Sequence, residues 1–432
     1  MTAARRRLLR WGLRVAVLAV IVVLITVDTR MKGGLQGGFA PGNASWVAYA
    51  PRFSGVWSGL TRTSAFRDFT KQWPAPNNNA QLHVRLTAGI RPTPLRWSTW
   101  LGRKAVVFGT DTGIGWCVKP GLLLRAAHAI NVAVSTQPEQ GVFRYGPYHY
   151  SWREGFLLFS TSPEVLRDAL SGNEVGAADS MGRDEFYVQW QAAPSGSLVI
   201  GARDGLPVRG WFKSASQGEG EAIHPWPGEP FLQLNSSDDA VFVALTQFLR
   251  WQLSMLPEWC NSGAIIPETL PFVTAAGQTG PVSDYGLALF APDSKESRVP
   301  EFALRFRFEA DAPAPPEIAP PMKAVASGPY WYLASGESAL QILSIPAEST
   351  PGVEQALTFL IQWGEAGKTF EKHLRAILED DDSLREAIEG TGVPCTQALA
   401  TLGRLQINGR REEGKVRFEG NLAQAVEKPM PQ

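Results

Sequence analysis

Asp111, Thr112 and Gly113 spell the Asp-Thr-Gly triplet of an aspartic protease. That chemistry needs two such aspartates, which share one proton and activate a water molecule. This sequence contains a single triplet, and it lies between two strand-like segments, 104–109 and 114–118. Turn residues are expected between paired strands, so we interpret the triplet as the turn of a β-hairpin.

Two further patterns are weak matches to known sites. Gly367, Lys368 and Thr369 resemble the end of a phosphate-binding loop, but Gln362 stands where the loop needs another glycine. We interpret this segment as part of a helical region. The acidic residues 379–382 lack the alternating ligands and the glycine of a calcium loop. We predict that Glu379, Asp380, Asp381 and Asp382 start the following helix, with Asp382 or Ser383 as its cap.

The five histidines are scattered and form no His-Glu-x-x-His motif; they are His83, His128, His149, His224 and His373. His149 is the first candidate for a general base, because it lies among aromatic residues and close to Ser151 and Glu154. We expect it to be a half-buried histidine on a strand. No Gly-x-Ser-x-Gly or Ser-x-x-Lys pattern occurs. The catalytic residues are therefore unknown, and we predict no metal site and no cofactor.

The three cysteines, Cys117, Cys260 and Cys395, have no short mutual spacing. Without a Cys-x-x-Cys motif, neither a zinc site nor a thioredoxin-like site is predicted. An odd number with no framework favours buried free thiols, although one disulfide pair stays open if the chain is exported.

The 15 tryptophans are many for 432 residues, and we expect most of them in the core. An exposed row that stacks on sugars is an alternative. It depends on the accessibility of Trp97, Trp100, Trp152, Trp211 and Trp226.

Charge and size limit the function classes. Lysine plus arginine and aspartate plus glutamate both total 41, so the net charge is zero. Nucleic-acid binding needs a basic surface and is disfavoured. With 44% hydrophobic residues the chain should fold, and its length predicts two or three domains or a repeated scaffold.

A strand, a hydroxyl-rich turn and a helix follow one another at 155–170, 46–60, 231–245 and 331–344. In the first of these modules we expect Ser160, Thr161 and Ser162 to cap the helix, with Pro163 in its first turn. Similar caps are predicted at Ser236-Ser237-Asp238 and at Ser335-Gly336-Glu337. The modules predict internal symmetry, with four equivalent corners.

The N-terminus combines five arginines in residues 1–14 with an apolar run at 15–27. A cleaved signal peptide and a retained signal-anchor both fit. We predict a retained single-pass anchor at 1–28, because no good cleavage site follows, and a flexible glycine-rich tether at 29–44. In a bacterial inner membrane, the basic N-terminus would be cytoplasmic and residues 45–432 periplasmic or extracellular.

Beyond the tether the sequence predicts an α+β fold, with antiparallel sheets that carry helices on one face. A first lobe is expected at 45–182, a second at 183–310, a proline-rich linker at 311–321 and a helical and hairpin segment at 322–426. Helices are predicted at 352–378 and 383–389. Two alternations indicate strands with one solvated face: Phe302, Leu304, Phe306 and Phe308 against Arg305 and Arg307, and Val416 and Phe418 against Arg417.

Three stretches together resemble a bacterial family of membrane-anchored envelope proteins known only as a domain of unknown function. They are WVAYAPRFSGVWSGLTRTSAFRDF at 46–69, GRKAVVFGTDTGIGWCVKPGLLLRAAHA at 102–129 and SWREGFLLFSTSPEVLRDAL at 151–170. The resemblance implies an N-terminal anchor and an α+β ectodomain. It implies no catalytic or binding residues.

We expect a non-enzymatic envelope protein that is anchored through its N-terminal helix. Its ectodomain would bind another envelope protein, or an apolar ligand held between sheet and helices. One alternative is an envelope hydrolase whose site converges from distant loops. The other is a glycan-binding ectodomain that uses exposed tryptophans.

Overall fold

The computed structural model describes residues 36–51, 53–72, 104–120, 141–145, 148–176, 182, 184–214, 222–224, 226, 228–254, 266–292, 300–315, 322–336, 339–340, 353–380 and 382–423. The chain divides into two compact units. The first unit comprises Met1–Trp57 and His83–Val188, and the second comprises Ser58–Leu82 and Gln189–Gln432. The predicted anchor at 1–28 and residues 29–35 of the tether lie outside the described residues. The rest of the predicted tether is not a free linker, because Gln36–Ala40 forms a strand in which Phe39 and Ala40 are buried. Among the described residues, no helix has the length and apolar character that a membrane span requires.

The first unit is built on an antiparallel sheet. Its strands are β1 (Gln36–Ala40), β2 (Trp46–Ala50), β3 (Ala105–Thr110), β4 (Gly113–Val118), β5 (Phe143–Tyr145), β6 (Tyr148–Arg153), β7 (Phe156–Ser160) and β8 (Asn173–Gly176). Six of them pair in the order β2-β3-β4-β7-β6-β5. Strands β1 and β8 form a separate pair.

Two helices belong to the same stretch of chain. They are α1 (Phe53–Arg62), within which the division at Trp57 falls, and α3 (Pro163–Ser171). Val165, Leu166 and Ala169 of α3 are buried against Phe108, Cys117 and Leu158 of the sheet. This follows the 3.6-residue apolar period of the sequence. The predicted β3–β4 hairpin is confirmed, and Asp111 and Thr112 form its turn.

The second unit contains a ten-stranded antiparallel sheet. Its strands are β10 (Gly196–Gly201), β11 (Val208–Lys213), β13 (Leu232–Ser236), β14 (Val282–Phe290), β15 (Glu301–Phe308), β16 (Lys323–Ser327), β17 (Tyr330–Ala334), β19 (Leu357–Gln362), β20 (Arg404–Glu412) and β21 (Lys415–Ala423). They pair in the order β10-β11-β21-β20-β19-β13-β14-β15-β17-β16. The short strands β12 (Ala222–Ile223) and β18 (Val353–Glu354) pair with each other. Strand β9 (Glu185–Trp190) contains the division at Val188.

The helices of the second unit are α2 (Ser64–Gln72), α4 (Asp239–Ser254), α5 (Leu270–Thr279), α6 (Trp363–Asp380) and α7 (Val393–Ala400). Short turns link α6 to α7; they are a 3₁₀ turn (Asp382–Leu384), a single α-helical turn (Arg385–Ala387) and a π turn (Ile388–Gly392). One face of the sheet forms the main core with these helices. Leu234, Phe242, Leu287, Leu304 and Phe306 are completely buried there. The architecture is α+β and rich in antiparallel sheet.

Three blocks of five strands share one spatial strand order, and the first two blocks also share one connectivity. In each block a first strand leads through helices to a hairpin, and the last strand of that hairpin pairs with a second hairpin. The blocks are β2-β3-β4-β7-β6, β13-β14-β15-β17-β16 and β19-β20-β21-β11-β10. In the third block the second hairpin, β10–β11, comes from earlier in the chain. The two blocks of the second unit meet where β13 pairs with β19.

The four modules predicted to be equivalent corners therefore fall into two kinds. The corners at 46–60 and 231–245 contain the first strand of a block, β2 or β13. Those at 155–170 and 331–344 contain the strand of the block that comes last in the chain, β7 or β17. A further first-strand corner, β19 to α6, lies where the sequence predicts one helix at 352–378. Leu357–Gln362 forms a strand because it has partners on both sides, β13 and β20.

Three other expectations differ from the structure. Glu379 and Asp380 end α6 and do not start a new helix, and Asp382 opens a 3₁₀ turn. The segment 322–426 does not stand apart, because β16 and β17 extend the sheet beyond β15 and β19–β21 complete it. The start of the predicted linker is bound to that sheet: the Ala312 N–H donates to the Gly328 carbonyl, and Trp331 Nε1 donates to the Pro313 carbonyl over 2.6 Å.

Candidate functional site

The hydroxyl clusters at two corners are helix caps. Ser160 Oγ accepts from the Ser162 N–H, and Ser162 Oγ accepts from the Val165 N–H. The same spacing recurs in the second unit, where Ser236 Oγ accepts from the Asp238 N–H and Asp238 Oδ1 accepts from the Val241 N–H. These hydroxyl and carboxylate groups satisfy backbone donors at the start of α3 and α4. The prediction is confirmed for Ser162 and Asp238, which cap α3 and α4; Thr161 is exposed, and Ser237 Oγ accepts from Arg411.

The third predicted cap is made differently. Ser335 Oγ accepts from the N–H of Phe302 on the neighbouring strand. The N–H of Ala339, just after the corner, donates to Glu301 Oε2 over 2.8 Å. Glu301 therefore takes the place expected for Ser335-Gly336-Glu337, and Glu337 itself lies outside the described residues.

Removing the cap of α3 tests this assignment. We expect Ser162→Ala to lower the free energy of unfolding by about 1 kcal/mol, because the Val165 N–H loses its acceptor. Urea denaturation of the full chain measures the change. Thr161→Ala is the matched control and should leave the midpoint unchanged, since Thr161 is exposed beside the cap. Equal losses for both variants would contradict the cap assignment.

His149 does not form a catalytic group with its predicted neighbours. It is a half-buried residue of β6, as expected, and its register partner on β7 is Ser160. The Ser160 hydroxyl donates to the Ile114 carbonyl and the Ser151 hydroxyl to the Gly141 carbonyl. Glu154 lies in the β6–β7 turn with a positive φ of 51°. The two serines therefore have structural hydrogen bonds.

The remaining motifs are also placed in structural roles. Gly367, Lys368 and Thr369 lie within α6. Cys117 is a buried free thiol whose Sγ accepts from the Phe39 N–H, and burial raises its pKa to about 12. Cys395 is a half-buried free thiol, and Cys260 lies outside the described residues. Within the described ranges, no cluster of three or more His, Cys, Asp or Glu side chains could hold a metal ion.

The tryptophans in the described part of the chain that the glycan alternative names, Trp152, Trp211 and Trp226, do not form an exposed row. Trp226 is 5% exposed and Trp331 is 2% exposed. Trp152 and Trp211 are half-buried and belong to different units. Trp97 and Trp100 lie outside the described residues.

A buried ion pair lies on the sheet face of the second unit opposite to the main core. Arg305 Nη2 of β15 donates to Asp284 Oδ2 of β14 over 2.9 Å, and both side chains are only 1% exposed. The same nitrogen donates to the His224 carbonyl over 2.7 Å and to Asn235 Oδ1 over 3.2 Å. The sequence predicted Arg305 on a solvated face, and this prediction is wrong.

Trp226 covers the ion pair. Its indole ring lies 4.7 Å from the Arg305 guanidinium carbon, and its Nε1 donates to Asn235 Oδ1 over 2.7 Å. Gly286 allows the ring to lie close to the sheet, since a β-carbon there would lie 2.7 Å from Trp226 Cζ2. Trp226 belongs to a proline-rich stretch at 224–230. Its ring shields the Arg305 side chain, which is 1% exposed.

Burial raises the pKa of Asp284 from 3.8 to about 6, and the nearby charges of Arg305 and Arg307 limit the rise. Between about pH 4 and pH 6 the folded state thus holds a proton that the unfolded state has released. Stability should fall as pH rises through this window, and the loss is complete above the folded-state pKa.

The pH dependence can be isolated by comparing the wild type with Asp284→Asn. We expect the unfolding free energy of the wild type to fall relative to that of the variant between pH 4 and pH 6.5. Urea midpoints at half-unit pH steps measure the difference. A constant difference over this range would show that the Asp284 pKa is not raised.

The second feature of interest is an exposed patch on strands β20, β21 and β11, which we name the cationic face. It consists of Arg410, Lys415, Arg417, Lys213 and Trp211. Their side chains share one face because the strand period places them opposite the buried Val416, Phe418 and Phe212. Arg410, Arg417 and Lys213 are exposed, and Lys415 and Trp211 are half-buried. The predicted alternation of Val416 and Phe418 against Arg417 is confirmed.

Like charges lie directly opposite one another on the cationic face. The register pairs Arg410 with Arg417 and Lys213 with Lys415. Such pairs destabilise a sheet, because the side chains are only about 5 Å apart. The register also places two opposite-charge pairs on this face, Lys415 with Glu412 and Arg209 with Glu419. Glu412 Oε2 lies 3.3 Å from Arg417 Nε. Counting Arg209, five cations and two carboxylates leave a local charge of +3 on a chain whose net charge is zero.

Trp211 lies at the centre of this charge. It is the register partner of Arg417, and the Lys415 ammonium lies 4.6 Å from the centre of its ring. Sequence reasoning missed the face, because Lys213 and Arg410 are 197 positions apart in number and only the β11–β21–β20 pairing unites them. The sequence signal for this face was the alternation of Val416 and Phe418 with Arg417, which indicates a solvent-exposed side of β21.

No protein-family model, no curated protein and no solved structure matches this chain. The resemblance to a family of anchored envelope proteins stays a prediction.

Proposed function

We propose that this chain is a membrane-anchored, non-enzymatic envelope protein whose ectodomain binds a partner through the cationic face. The observation that carries the proposal is that the register places like charges opposite one another twice, Arg410 with Arg417 and Lys213 with Lys415. A binding partner with negative charge would offset the repulsion that the free sheet bears.

Protection of a sheet edge does not account for these lysines and arginines. Cations on edge strands prevent unwanted pairing with other chains. Here β21 lies between β11 and β20, and β11 lies between β10 and β21. The charges are on interior strands and point away from the sheet plane, so they present a surface.

The polar groups at two predicted corners and in the buried ion pair have structural roles. Ser160, Ser162, Ser236 and Asp238 cap helices. Asp284 is enclosed with Arg305 beneath Trp226. The hydrolase alternative would need some of these groups to be open to a substrate.

The apolar-ligand form of the proposal is less well supported. The space between the sheet and α4 is occupied by the protein's own side chains, including Leu234, Phe242 and Leu287, all fully buried. A ligand there would have to displace them. The partner is therefore placed on the opposite, solvent-exposed face of β20, β21 and β11.

A charge reversal separates binding from stability. Arg410→Glu turns a like-charge pair into an attractive one, and we expect it to raise the free energy of unfolding by about 0.2–1 kcal/mol. The same change should reduce capture of the partner from detergent-solubilised envelope by the immobilised full chain. Urea denaturation and quantification of the captured material measure the two effects.

Lys372→Glu is the matched control, because it makes the same charge change on the exposed surface of α6. It should leave capture unchanged. If Arg410→Glu captures as much as the wild type, the cationic face is not the binding surface.

Membrane fractionation with protease protection tests the anchor separately. An ectodomain that the protease digests only after it is given access to the cytoplasm would refute the outward orientation.

A further inference from the structure

We infer that the cationic face binds a linear polysaccharide that carries carboxylate groups. This inference rests on the proposed function and specifies the chemistry of the partner. It follows from three properties of the face: the spacing of its charges, the position of Trp211 and the absence of an exposed apolar centre among its five residues.

The charges form a small lattice. Arg410 and Arg417 lie on adjacent strands, as do Lys415 and Lys213. Strands are about 5 Å apart and alternate residues about 7 Å apart along a strand. A polymer with one carboxylate on each sugar places negative charges at comparable intervals. The two guanidinium groups can each form two parallel hydrogen bonds to a carboxylate.

Trp211 adds a flat aromatic surface within this lattice. The ring is half-buried, so it is held at the level of the sheet, and Lys415 and Arg417 flank it. A sugar ring would stack on the indole in place of the Lys415 ammonium, which now lies 4.6 Å from the ring centre, and its carboxylate would then lie beside these cations. Trp211 alone would thus stack on a sugar ring, a role that the glycan alternative assigned to a row of exposed tryptophans.

A protein partner fits the face less well. Protein interfaces are enriched in arginine and tryptophan, but they have an apolar core in which lysine is depleted. Here the Lys415 ammonium lies 4.6 Å from the ring centre of Trp211, the one aromatic residue among the five of the cationic face. An acidic protein segment would therefore bind through charge alone.

A lipid surface also fits less well. Peripheral membrane binding combines basic residues with large apolar side chains that insert between the lipids. The large apolar side chains that are exposed in the described residues are Ile114, Phe248 and Leu270, and none belongs to the cationic face. Trp211 is half-buried and lies under the Lys415 ammonium.

Binding to labelled oligogalacturonate tests the inference, with the full chain in non-ionic detergent. We expect binding that weakens with salt, because exposed charges are screened, and no binding to neutral dextran. Arg410→Glu should weaken binding by about tenfold or more, a change of about 1.4 kcal/mol. Since that variant is expected to be more stable than the wild type, unfolding would not explain the loss. Lys372→Glu should bind as the wild type does.

Trp211→Ala distinguishes a sugar from other polyanions. It should weaken binding of oligogalacturonate and leave binding of polyglutamate unchanged. Equal affinity for both polymers, with no effect of Trp211→Ala, would overturn the inference in favour of an acidic protein segment. Tighter binding to anionic lipid vesicles would overturn it as well.

The two proposals can fail separately. Suppose that oligogalacturonate does not bind, but Arg410→Glu still captures less envelope material than the wild type. The inference of a polysaccharide ligand is then wrong, and the proposal that the cationic face binds a partner is supported. If neither measurement responds to Arg410→Glu, both proposals are wrong.

Discussion

Asp284→Ala is expected to lower the free energy of unfolding by about 3–5 kcal/mol at pH 7.5. At that pH the carboxylate is ionised, because its pKa is about 6. Its removal takes away a carboxylate that accepts from Arg305 Nη2 over 2.9 Å at a site where both side chains are 1% exposed. The same nitrogen also donates to two neutral groups, the His224 carbonyl and Asn235 Oδ1. Chemical denaturation of the full chain, followed by tryptophan fluorescence, measures the loss.

Replacing both members of the pair provides the control. Asp284→Leu with Arg305→Met removes both buried charges and keeps the apolar volume, and such replacements are often neutral or stabilising. We therefore expect the double variant to be more stable than Asp284→Ala. If Asp284→Ala costs less than about 1 kcal/mol, Arg305 gains access to water and the cluster is not closed.

The error over Arg305 shows what strand alternation can predict. Alternation correctly assigned the core face of β15, because Phe302, Leu304, Phe306 and Phe308 are buried. It could not show what covers the other face. That cover is the segment around Trp226, about 80 residues earlier in the chain, and the contact depends on tertiary packing.

Helix caps were predictable because they are local. Ser162 and Asp238 accept from backbone donors three residues ahead, and a hydroxyl or carboxylate before an apolar helix is sufficient to identify them. Glu301 could not be found this way. It caps Ala339 from a neighbouring strand, 38 positions away.

Strand β19 was missed for the opposite reason. Leu357–Gln362 leads directly into α6 with no turn residues between them, so the apolar run reads as the start of one long helix. A short apolar run is ambiguous between a buried strand and a helix segment. Pairing with β13 and β20 decides in favour of the strand.

The same limit applies to the candidate site. Arg417 was expected on a solvent-exposed face, and it is 57% exposed. The like-charge contact with Arg410 follows from the β20–β21 hairpin register, which the sequence nearly specifies. The contact of Lys415 with Lys213 requires β11, from another part of the chain. The sequence therefore predicts the part of the cationic face on β20 and β21, and not the part on β11.

Trp226→Ala is expected to lower the free energy of unfolding by about 3–5 kcal/mol, as for other large buried aromatic residues. The substitution removes three contacts at once. The ring lies over Arg305 at 4.7 Å, its Nε1 donates to Asn235 Oδ1, and its edge meets Phe290 at 6.4 Å between ring centres. Chemical denaturation measures the loss.

Trp226→Phe separates the cover from the hydrogen bond. Phenylalanine keeps an aromatic face over the guanidinium but has no N–H for Asn235, so we expect it to retain more than half of the stability that Trp226→Ala loses. The effects of Trp226→Ala and Asp284→Ala should not add, because both act on Arg305. Once the ring is absent, water reaches the guanidinium, and loss of its carboxylate costs less. Strict additivity would mean that Trp226 does not exclude water from the ion pair.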